Sequence, residues 1–309
     1  MIPHMLGQCD AIAENSNIMY QMKNSPTVHD IQIRGLQYRF HCWGDPKGVP
    51  VYLLHGWADV GMSFQFLADY MDDNWYLIAP DWRGFGDSDW NSDGYWFPDY
   101  LGDLQAIIMY FSPNQRVRLV GHSMGGNIAW LYAGICPDQV SHAVSLDVYG
   151  LPDSKPEDAP AQYMRWLDQL DSGVNFSTYP NINGVVERLK KLAPRLSEAQ
   201  AEFLAGYWAK RDAGGHFKIK HDPRHKRVNP VLYRRAEVIS CWKIITADTL
   251  LVMAESSPIY KSYMKDGYKA EIQEAIPQLT EEVISDAGHM LHLEQPASLA
   301  GILNDFLKS

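Results

Sequence analysis

A glycine-flanked serine constrains the fold of this chain more than any other feature of its sequence. The segment Gly121–Gly125 reads GHSMG, and it lies between the apolar run Val117–Val120 and a helix-forming stretch near Asn127. This order of strand, turn and helix predicts a sharp turn that lifts the hydroxyl of Ser123 clear of the backbone. Side chains at the two glycine positions would obstruct such a turn. We therefore expect Ser123 at the carboxyl edge of a sheet, followed directly by a helix.

Short apolar runs alternate with helical stretches over most of the chain, which predicts an α/β fold with a doubly wound, mostly parallel sheet. Most runs are continuously apolar, as is typical of parallel strands covered on both faces. The first two alternate in polarity, which favours an antiparallel hairpin at one edge. The predicted strands are Asp30–Ile33, Leu36–His41, Val51–Leu54, Tyr76–Ala79, Val117–Val120, Ala143–Leu146, Thr249–Met253 and Glu282–Ile284. The predicted core helices include Phe64–Met71, Tyr100–Tyr110, Gly126–Ile135 and Leu299–Leu307.

The alternation stops between Gly150 and about Cys241. This stretch contains helix-like pieces separated by joints with proline and glycine, and it has no convincing buried strand. We interpret it as a helical insertion that caps the site, with helices at Pro160–Leu170, Gly184–Leu192 and Glu198–Arg211. The predicted organisation is an N-terminal arm at 1–27, an α/β core at 28–150 and 241–309, and a helical cap at 151–240.

Composition and charge narrow the classes of ligand. The 309 residues are 46% hydrophobic and carry a formal net charge of −10 at pH 7. Negative charge of this size disfavours nucleic acid and anionic lipid surfaces, so small neutral molecules are the expected substrates. The four cysteines are scattered without a C-x-x-C pair, which disfavours a zinc site or a disulfide framework. Because no signal-like or membrane-spanning run is present, we expect a cytoplasmic protein without a membrane span.

A second motif, His55-Gly56-Trp57, directly follows the predicted strand Val51–Leu54. The backbone N–H of Trp57 and that of Met124, next to the serine, are candidate donors of an oxyanion hole. The helix that begins after the serine also directs the positive end of its dipole toward developing negative charge. A histidine-glycine pair alone is more often a simple turn. Its combination with the serine motif favours the catalytic interpretation.

A serine hydroxyl is a poor nucleophile until a base accepts its proton, and histidine has a suitable pKa for that task. His289 lies in the segment Gly288–Pro296, after the last predicted strand and before the C-terminal helix. This is where a base is expected, so His289 is the candidate. We expect His292 to be a packed or solvated residue of the following turn and Glu294 to be a structural partner of the same loop.

Two other histidines, His221 and His225, have the spacing of metal ligands on a helix. Pro223 lies between them and would break that helix, so a solvated basic surface is the favoured interpretation. The chain has eleven histidines, and most of them must lack a catalytic role. No metal site is predicted.

Taken together, these motifs resemble the α/β-hydrolase superfamily over about residues 28–150 and 241–309. The segment Asp81–Ser88 adds to the likeness because it matches the D-x-R-G-x-G-x-S turn of that family, in which Arg83 and Asp87 are usually structural. The resemblance implies a sheet of about eight strands, a triad in the order serine, acid, histidine, and no cofactor. Within the superfamily the chain is most similar to lidded serine esterases and serine-hydrolase-like proteins.

The position of the acid departs from the commonest family pattern. In relatives the acid follows the strand that matches Leu250–Val252, but Ser257 stands at that position here. Two candidates remain, Glu255 in the same loop and Asp147 at the end of the preceding strand. Some branches of the superfamily, including haloalkane dehalogenases, resemble the second arrangement. We favour Asp147, since the carboxyl edge of an open α/β sheet is where such folds place their sites.

The reaction that these residues suit best is hydrolysis of small or medium carboxylic esters through an acyl-enzyme. Thioesterase, C–C hydrolase and amidase activities use the same groups, and the fold does not separate them. A different class of function is a pseudohydrolase that binds a small apolar ligand beneath the cap. The serine at position 257 favours that alternative, whereas the intact nucleophile, oxyanion loop and base argue against it.

Overall fold

The computed structural model describes residues 19–172, 175, 177–265 and 267–308. The strands among these residues are β1 Thr27–Ile33, β2 Leu36–Trp43, β3 Val49–Leu54, β4 Trp75–Pro80, β5 Val117–His122, β6 Val140–Leu146, β7 Thr178–Tyr179, β8 Ala209–Arg211, β9 Phe217–Ile219, β10 Asp248–Ala254 and β11 Leu279–Ile284. Eight strands form the main sheet in the order β1-β2-β4-β3-β5-β6-β10-β11. Strand β2 pairs antiparallel with β1 and β4, and all other neighbours are parallel. The predicted sheet and its edge hairpin are confirmed.

The hairpin and the central strands follow from local sequence. The turn between β1 and β2 places Arg34 and Gly35 at φ values of 47° and 84°, the conformation that a tight two-residue hairpin requires. In β3, Leu53 packs into one hydrophobic cluster and Leu54 into the other, on the opposite face of the sheet. Both side chains are fully buried. A strand buried on both faces needs apolar residues at every position, which explains the continuous runs.

The helices cover both faces of the sheet. They are α1 Gln65–Ala68, α2 Phe97–Phe111, α3 Met124–Ile135, α4 Ala159–Ser172, α5 Asn183–Leu192, α6 Glu198–Trp208, α7 Arg235–Trp242, α8 Pro258–Lys265, α9 Tyr268–Ala275, α10 Leu291–Glu294 and α11 Pro296–Phe306. All four predicted core helices are present, although the first is split into a short 3₁₀ turn and α1. The stretch Pro258–Ala275 forms two helices that the sequence pattern did not single out.

Residues 151–240 contain helices and also a small antiparallel sheet in the order β7-β9-β8. The segment was expected to be a helical insertion, and these strands are an addition to its helices. The predicted helix through Arg211 ends at Trp208, and the chain continues as β8. Strands of two or three residues are too short to produce a recognisable alternation, which explains the omission.

The predicted cap segment packs against the core unevenly. Val185 and Leu189 of α5 and Leu204 of α6 are buried in the same hydrophobic cluster as Leu53 of the main sheet. Each such side chain contributes about 1.5–3 kcal/mol when it leaves water. Helix α4, in contrast, has no buried residue among those described.

Polar contacts also join the predicted cap segment to the loop after β4. The amide of Asp222 donates to the carbonyl of Gly84, and the ammonium of Lys220 lies 2.8 Å from Asp87. Arg83 forms a buried ion pair with Asp103. These contacts agree with the structural roles expected for Arg83 and Asp87.

The first described residues run against α1. Tyr20 donates a hydrogen bond to Asp69, and the amides of Lys23 and Asn24 donate to the same carboxylate at 3.0 and 3.1 Å. Positions 1–18 of the predicted arm, with Cys9, lie outside the described residues. Within the described part of the chain, no helix combines the length and apolar character that crossing a membrane requires.

Candidate active site

The turn between β5 and α3 holds Ser123 in a strained conformation. Its φ of 51° and ψ of −114° lie in a region that residues with a side chain rarely adopt. A Cβ atom at Gly121 would overlap the carbonyl of Gly125, and one at Gly125 would overlap the carbonyl of Leu54. Both glycines are therefore required by close backbone approach. The strain at Ser123 is maintained by the packed strands on either side.

His289 and Asp147 meet at the carboxyl edge of the sheet. Nδ1 of His289 lies 2.8 Å from Oδ2 of Asp147, and the aspartate side chain is completely buried. The histidine side chain is about one-third exposed. With the carboxylate as acceptor, the Nδ1–H tautomer leaves Nε2 as the basic nitrogen.

Asp147 has further donors that account for its burial. The hydroxyl of Ser257 donates to Oδ2 at 2.6 Å, and the amide of Ala254 donates to Oδ1 at 3.1 Å. A buried carboxylate without such partners would be strongly unfavourable. Asp147 also has a positive φ of 51°, which turns the chain sharply after β6. The alternative acid, Glu255, is exposed.

The loop after β3 is fixed by the ring of His55. The amide of Trp82 donates to Nε2 of His55 at 2.9 Å, and Nδ1 of His55 lies 2.7 Å from the carbonyl of Gly56. Burial lowers the pKa of His55, which favours the neutral ring that these contacts need. A Cβ atom at Gly56 would lie 3.2 Å from the Cβ of Ser123, so the loop passes directly beside the serine.

The two residues that carry the candidate oxyanion donors line the same cavity. Trp57 and Met124 both line a space of about 200 Å³ beside the serine turn. Met124 is the first residue of α3, so its N–H has no acceptor within the helix. We call this space the aromatic cavity, because its wall includes Trp57, Tyr95, Trp96, Tyr100 and Trp166. A larger cavity of about 750 Å³ adjoins it through shared lining residues such as Trp96 and Asn229.

A buried histidine, His122, supports the loop that carries His289. Its Nε2 donates to the backbone carbonyl of His289 across 2.7 Å. Burial and the neighbouring histidines hold the pKa of His122 well below its usual value, so its ring is neutral at physiological pH. His122 therefore supports the position of the base through a hydrogen bond rather than through charge.

Asp59 was missed by the sequence analysis, because no motif distinguishes it from a loop residue. Its buried carboxylate lies 3.4 Å from Nε2 of His292, and possible ligand atoms of Asp59, His122 and His292 lie within 4.8 Å of one another. Such a group can hold a metal ion. The carboxylate also accepts hydrogen bonds from the hydroxyl of Ser63 and the indole of Trp208. His292 is thus packed in the interior, as expected.

The structure also shows the surroundings of the other residues that were expected to lack a catalytic role. His225 stacks between the rings of Tyr95 and Phe85, with centroids 3.5 and 3.9 Å away. His221 is buried and also contacts the ring of Phe85. The expectation of a solvated surface was wrong for this pair, because aromatic residues of the core cover both rings. Glu294 accepts a hydrogen bond from the amide of Gly288 and supports the loop, as expected.

Comparisons with known proteins agree with this fold. A family model described as alpha/beta hydrolase fold matches residues 49–296. The "Serine hydrolase-like protein" of Danio rerio is 29% identical over 88% of this chain and 85% of its own length. "Epoxide hydrolase 2" of Siraitia grosvenorii is 26% identical over 85% of this chain and 92% of its own length.

Solved structures include similar folds. The thioesterase domain from the curacin biosynthetic pathway superposes with a TM-score of 0.83 and 25% identity. The match covers 93% of this chain and all of that domain. These similarities extend through the predicted cap as well as the sheet.

Proposed function

The chain belongs to the α/β-hydrolase family, and from that premise we propose that it is a serine hydrolase of small or medium carboxylic esters. The proposed nucleophile is Ser123, the base is His289 and the acid is Asp147. The proposed oxyanion donors are the backbone N–H groups of Trp57 and Met124. Relatives named as serine hydrolase-like proteins support the serine chemistry.

One observation carries this proposal: Nδ1 of His289 lies 2.8 Å from the buried carboxylate of Asp147. A base that accepts a proton at Nε2 becomes an imidazolium, and a carboxylate at Nδ1 stabilises that charge. The strained backbone of Ser123 in the adjoining turn supports the same interpretation, since strain of this kind clusters at functional sites. A ligand-binding pseudohydrolase has no evident need for either feature.

The reaction follows from these roles. The hydroxyl of Ser123 attacks the ester carbonyl while Nε2 of His289 takes its proton. The negative oxygen of the tetrahedral intermediate accepts hydrogen bonds from Trp57 and Met124. His289 then protonates the leaving alcohol, and an acyl group remains on Ser123. Water attacks the acyl-enzyme by the same steps in reverse, which releases the acid and restores the serine.

Thioesters are a second candidate class of substrate. The structural similarity to a thioesterase domain, at a TM-score of 0.83, favours this alternative over amide or C–C bond cleavage. Thioester hydrolysis would use the same nucleophile and base. An oxygen ester and a thioester with the same acyl group separate the two activities, because only the leaving atom differs.

Active-site labelling tests the proposal directly. A fluorophosphonate should react covalently with the wild-type protein, and mass spectrometry should locate the adduct on Ser123. A panel of p-nitrophenyl esters of increasing acyl length should be hydrolysed by the same preparation. Absence of both labelling and turnover would contradict the proposed chemistry and favour the pseudohydrolase.

A further inference from the structure

Among the described residues, one cation in the wall of the aromatic cavity, Arg227, forms no ion pair with a carboxylate. Arg227 lines this cavity together with Trp57 and Met124, the two proposed oxyanion donors. Its side chain is half-buried, and its Nε atom is fully buried without a hydrogen-bond partner among the described residues. In the described part of the chain, no carboxylate oxygen lies within ion-pair distance of its guanidinium.

Its neighbour Arg224 provides a contrast within the same turn. Nε and Nη2 of Arg224 contact the carboxylate of Asp222, and Nη1 donates to the carbonyl of Ser92. The pKa of Arg224 is raised, primarily by the hydrogen bond with Asp222, and the charge of Asp93 contributes to the increase. Asp222 is therefore paired with Arg224, and the exposed Asp93, which also lines the cavity, forms no ion pair with Arg227.

The arginines that line the larger cavity differ from Arg227 in their exposure to solvent. Arg165 and Arg234 line that space and are exposed, so water solvates their charges. The same wall also carries the carboxylates of Asp158 and Glu237. Exposed arginines beside an equal number of carboxylates offer little net attraction for an anion.

We propose that Arg227 binds a carboxylate of the substrate, so that the site prefers half-esters of dicarboxylic acids over neutral esters. This inference rests on the proposed function and specifies its substrate class. A guanidinium with a buried Nε that lacks a partner is unfavourable, and a planar carboxylate can accept two parallel hydrogen bonds from the group. One guanidinium balances a single negative charge, which suits a carboxylate better than a phosphate dianion. The aromatic residues enclose the apolar body of the ester.

A matched pair of esters tests the preference. Methyl hydrogen glutarate and methyl pentanoate have acyl chains of equal length, and they differ by a terminal carboxylate in place of a methyl group. We expect the wild-type kcat/KM to favour the half-ester. In Arg227→Gln the ratio of the two kcat/KM values should fall at least about tenfold, because a charge-assisted hydrogen-bonded pair is lost.

Arg211→Gln is the matched control for loss of positive charge. Arg211 lies in the same segment, on β8, where it donates to the carbonyl of Gly215 and does not line the aromatic cavity. Its variant should keep the wild-type ratio. Equal changes in both variants would assign the effect to overall charge and overturn the inference, as would an unchanged ratio in Arg227→Gln.

Binding without turnover separates this inference from the proposed function. In a Ser123→Ala background, calorimetry should detect methyl hydrogen glutarate, and adding Arg227→Gln should weaken that binding at least about tenfold. Binding through Arg227 in a protein whose wild-type form hydrolyses no ester would contradict only the proposed function. Hydrolysis of both esters by the wild type, with no effect of Arg227→Gln on binding or on the ratio, would contradict only the inference.

Discussion

The hydroxyl of Ser257 donates a hydrogen bond of 2.6 Å to Oδ2 of Asp147, the same oxygen that lies 2.8 Å from Nδ1 of His289. In the commonest pattern of the family, the acid stands at the position that Ser257 occupies here. Here the residue at that position instead contacts the aspartate of the neighbouring strand. Ser257 is also the acceptor for the amide of Ile259, so it links the acid to the start of α8.

Replacing Ser257 tests this link. Ser257→Ala removes a buried donor to a charged group, and such bonds are worth about 1.5–3 kcal/mol. We expect the free energy of unfolding to fall by that amount and ester turnover to decrease as the acid loses support. Urea denaturation and steady-state kinetics measure the two effects. Ser256→Ala, an exposed neighbour, is the matched control, and equal stability of the two variants would contradict the prediction.

The identity of the acid can be tested by removing its charge. Asp147→Asn should lower kcat by about three to four orders of magnitude, because the amide does not stabilise the imidazolium of His289. Glu255→Gln should lose less than tenfold, since Glu255 is exposed. Steady-state hydrolysis of one p-nitrophenyl ester compares them. The opposite ranking would assign the acid to Glu255.

The strained turn at Ser123 predicts that two equally inactive variants will differ in stability. Ser123→Ala should lower kcat by about five to six orders of magnitude, and Ser123→Gly should be equally inactive. Glycine tolerates the positive φ at this position, so Ser123→Gly should exceed Ser123→Ala by about 1 kcal/mol in free energy of unfolding. Chemical denaturation checks the difference. A glycine variant less stable than the alanine variant would argue against strain.

Buried histidines should make the protein sensitive to mild acid. Burial lowers the pKa of His221 and of His225 to about 3, from the ordinary value of 6.5. Below pH 6.5 the unfolded chain binds these protons more readily than the folded protein does. Their contribution to stability is therefore complete above pH 6.5 and declines toward pH 3, by about 1.4 kcal/mol per pH unit for each histidine.

Urea denaturation at pH 6.5, 5.5 and 5.0 measures this slope before most carboxylates titrate. His225→Gln should reduce the pH dependence of the free energy of unfolding by the contribution of one proton. Any loss of packing would lower the stability at every pH and would leave this slope unchanged. His29→Gln, an exposed residue on β1, should leave the slope as it is in the wild type. A slope unaffected by His225→Gln would mean that His225 does not resist protonation.

Much of the fold was predictable because burial imposes a simple pattern. The central strands are apolar at every position, and the serine motif requires two glycines that the backbone contacts of Gly121 and Gly125 explain. The position of Asp147 at the end of a strand was sufficient to predict its place at the sheet edge. These features depend on local sequence and on the general geometry of parallel sheets.

Other features depend on residues that are distant in sequence. Asp59 contacts His292 only because the chain folds back across the sheet, and nothing adjacent to Asp59 indicates this. Arg227 resembles any solvated arginine until its neighbour Arg224 is seen to occupy the nearby carboxylate. The strands of the small sheet are held by three-dimensional pairing rather than by a pattern of their own.

The separation of 142 positions between Asp147 and His289 has a consequence for biosynthesis. Ser123 and Asp147 follow adjacent strands and leave the ribosome well before His289 does. A nascent chain can thus form the turn that bears the nucleophile long before a base is present to activate it. The proposed roles imply that hydrolytic activity begins only after the segment that carries His289 has been synthesised.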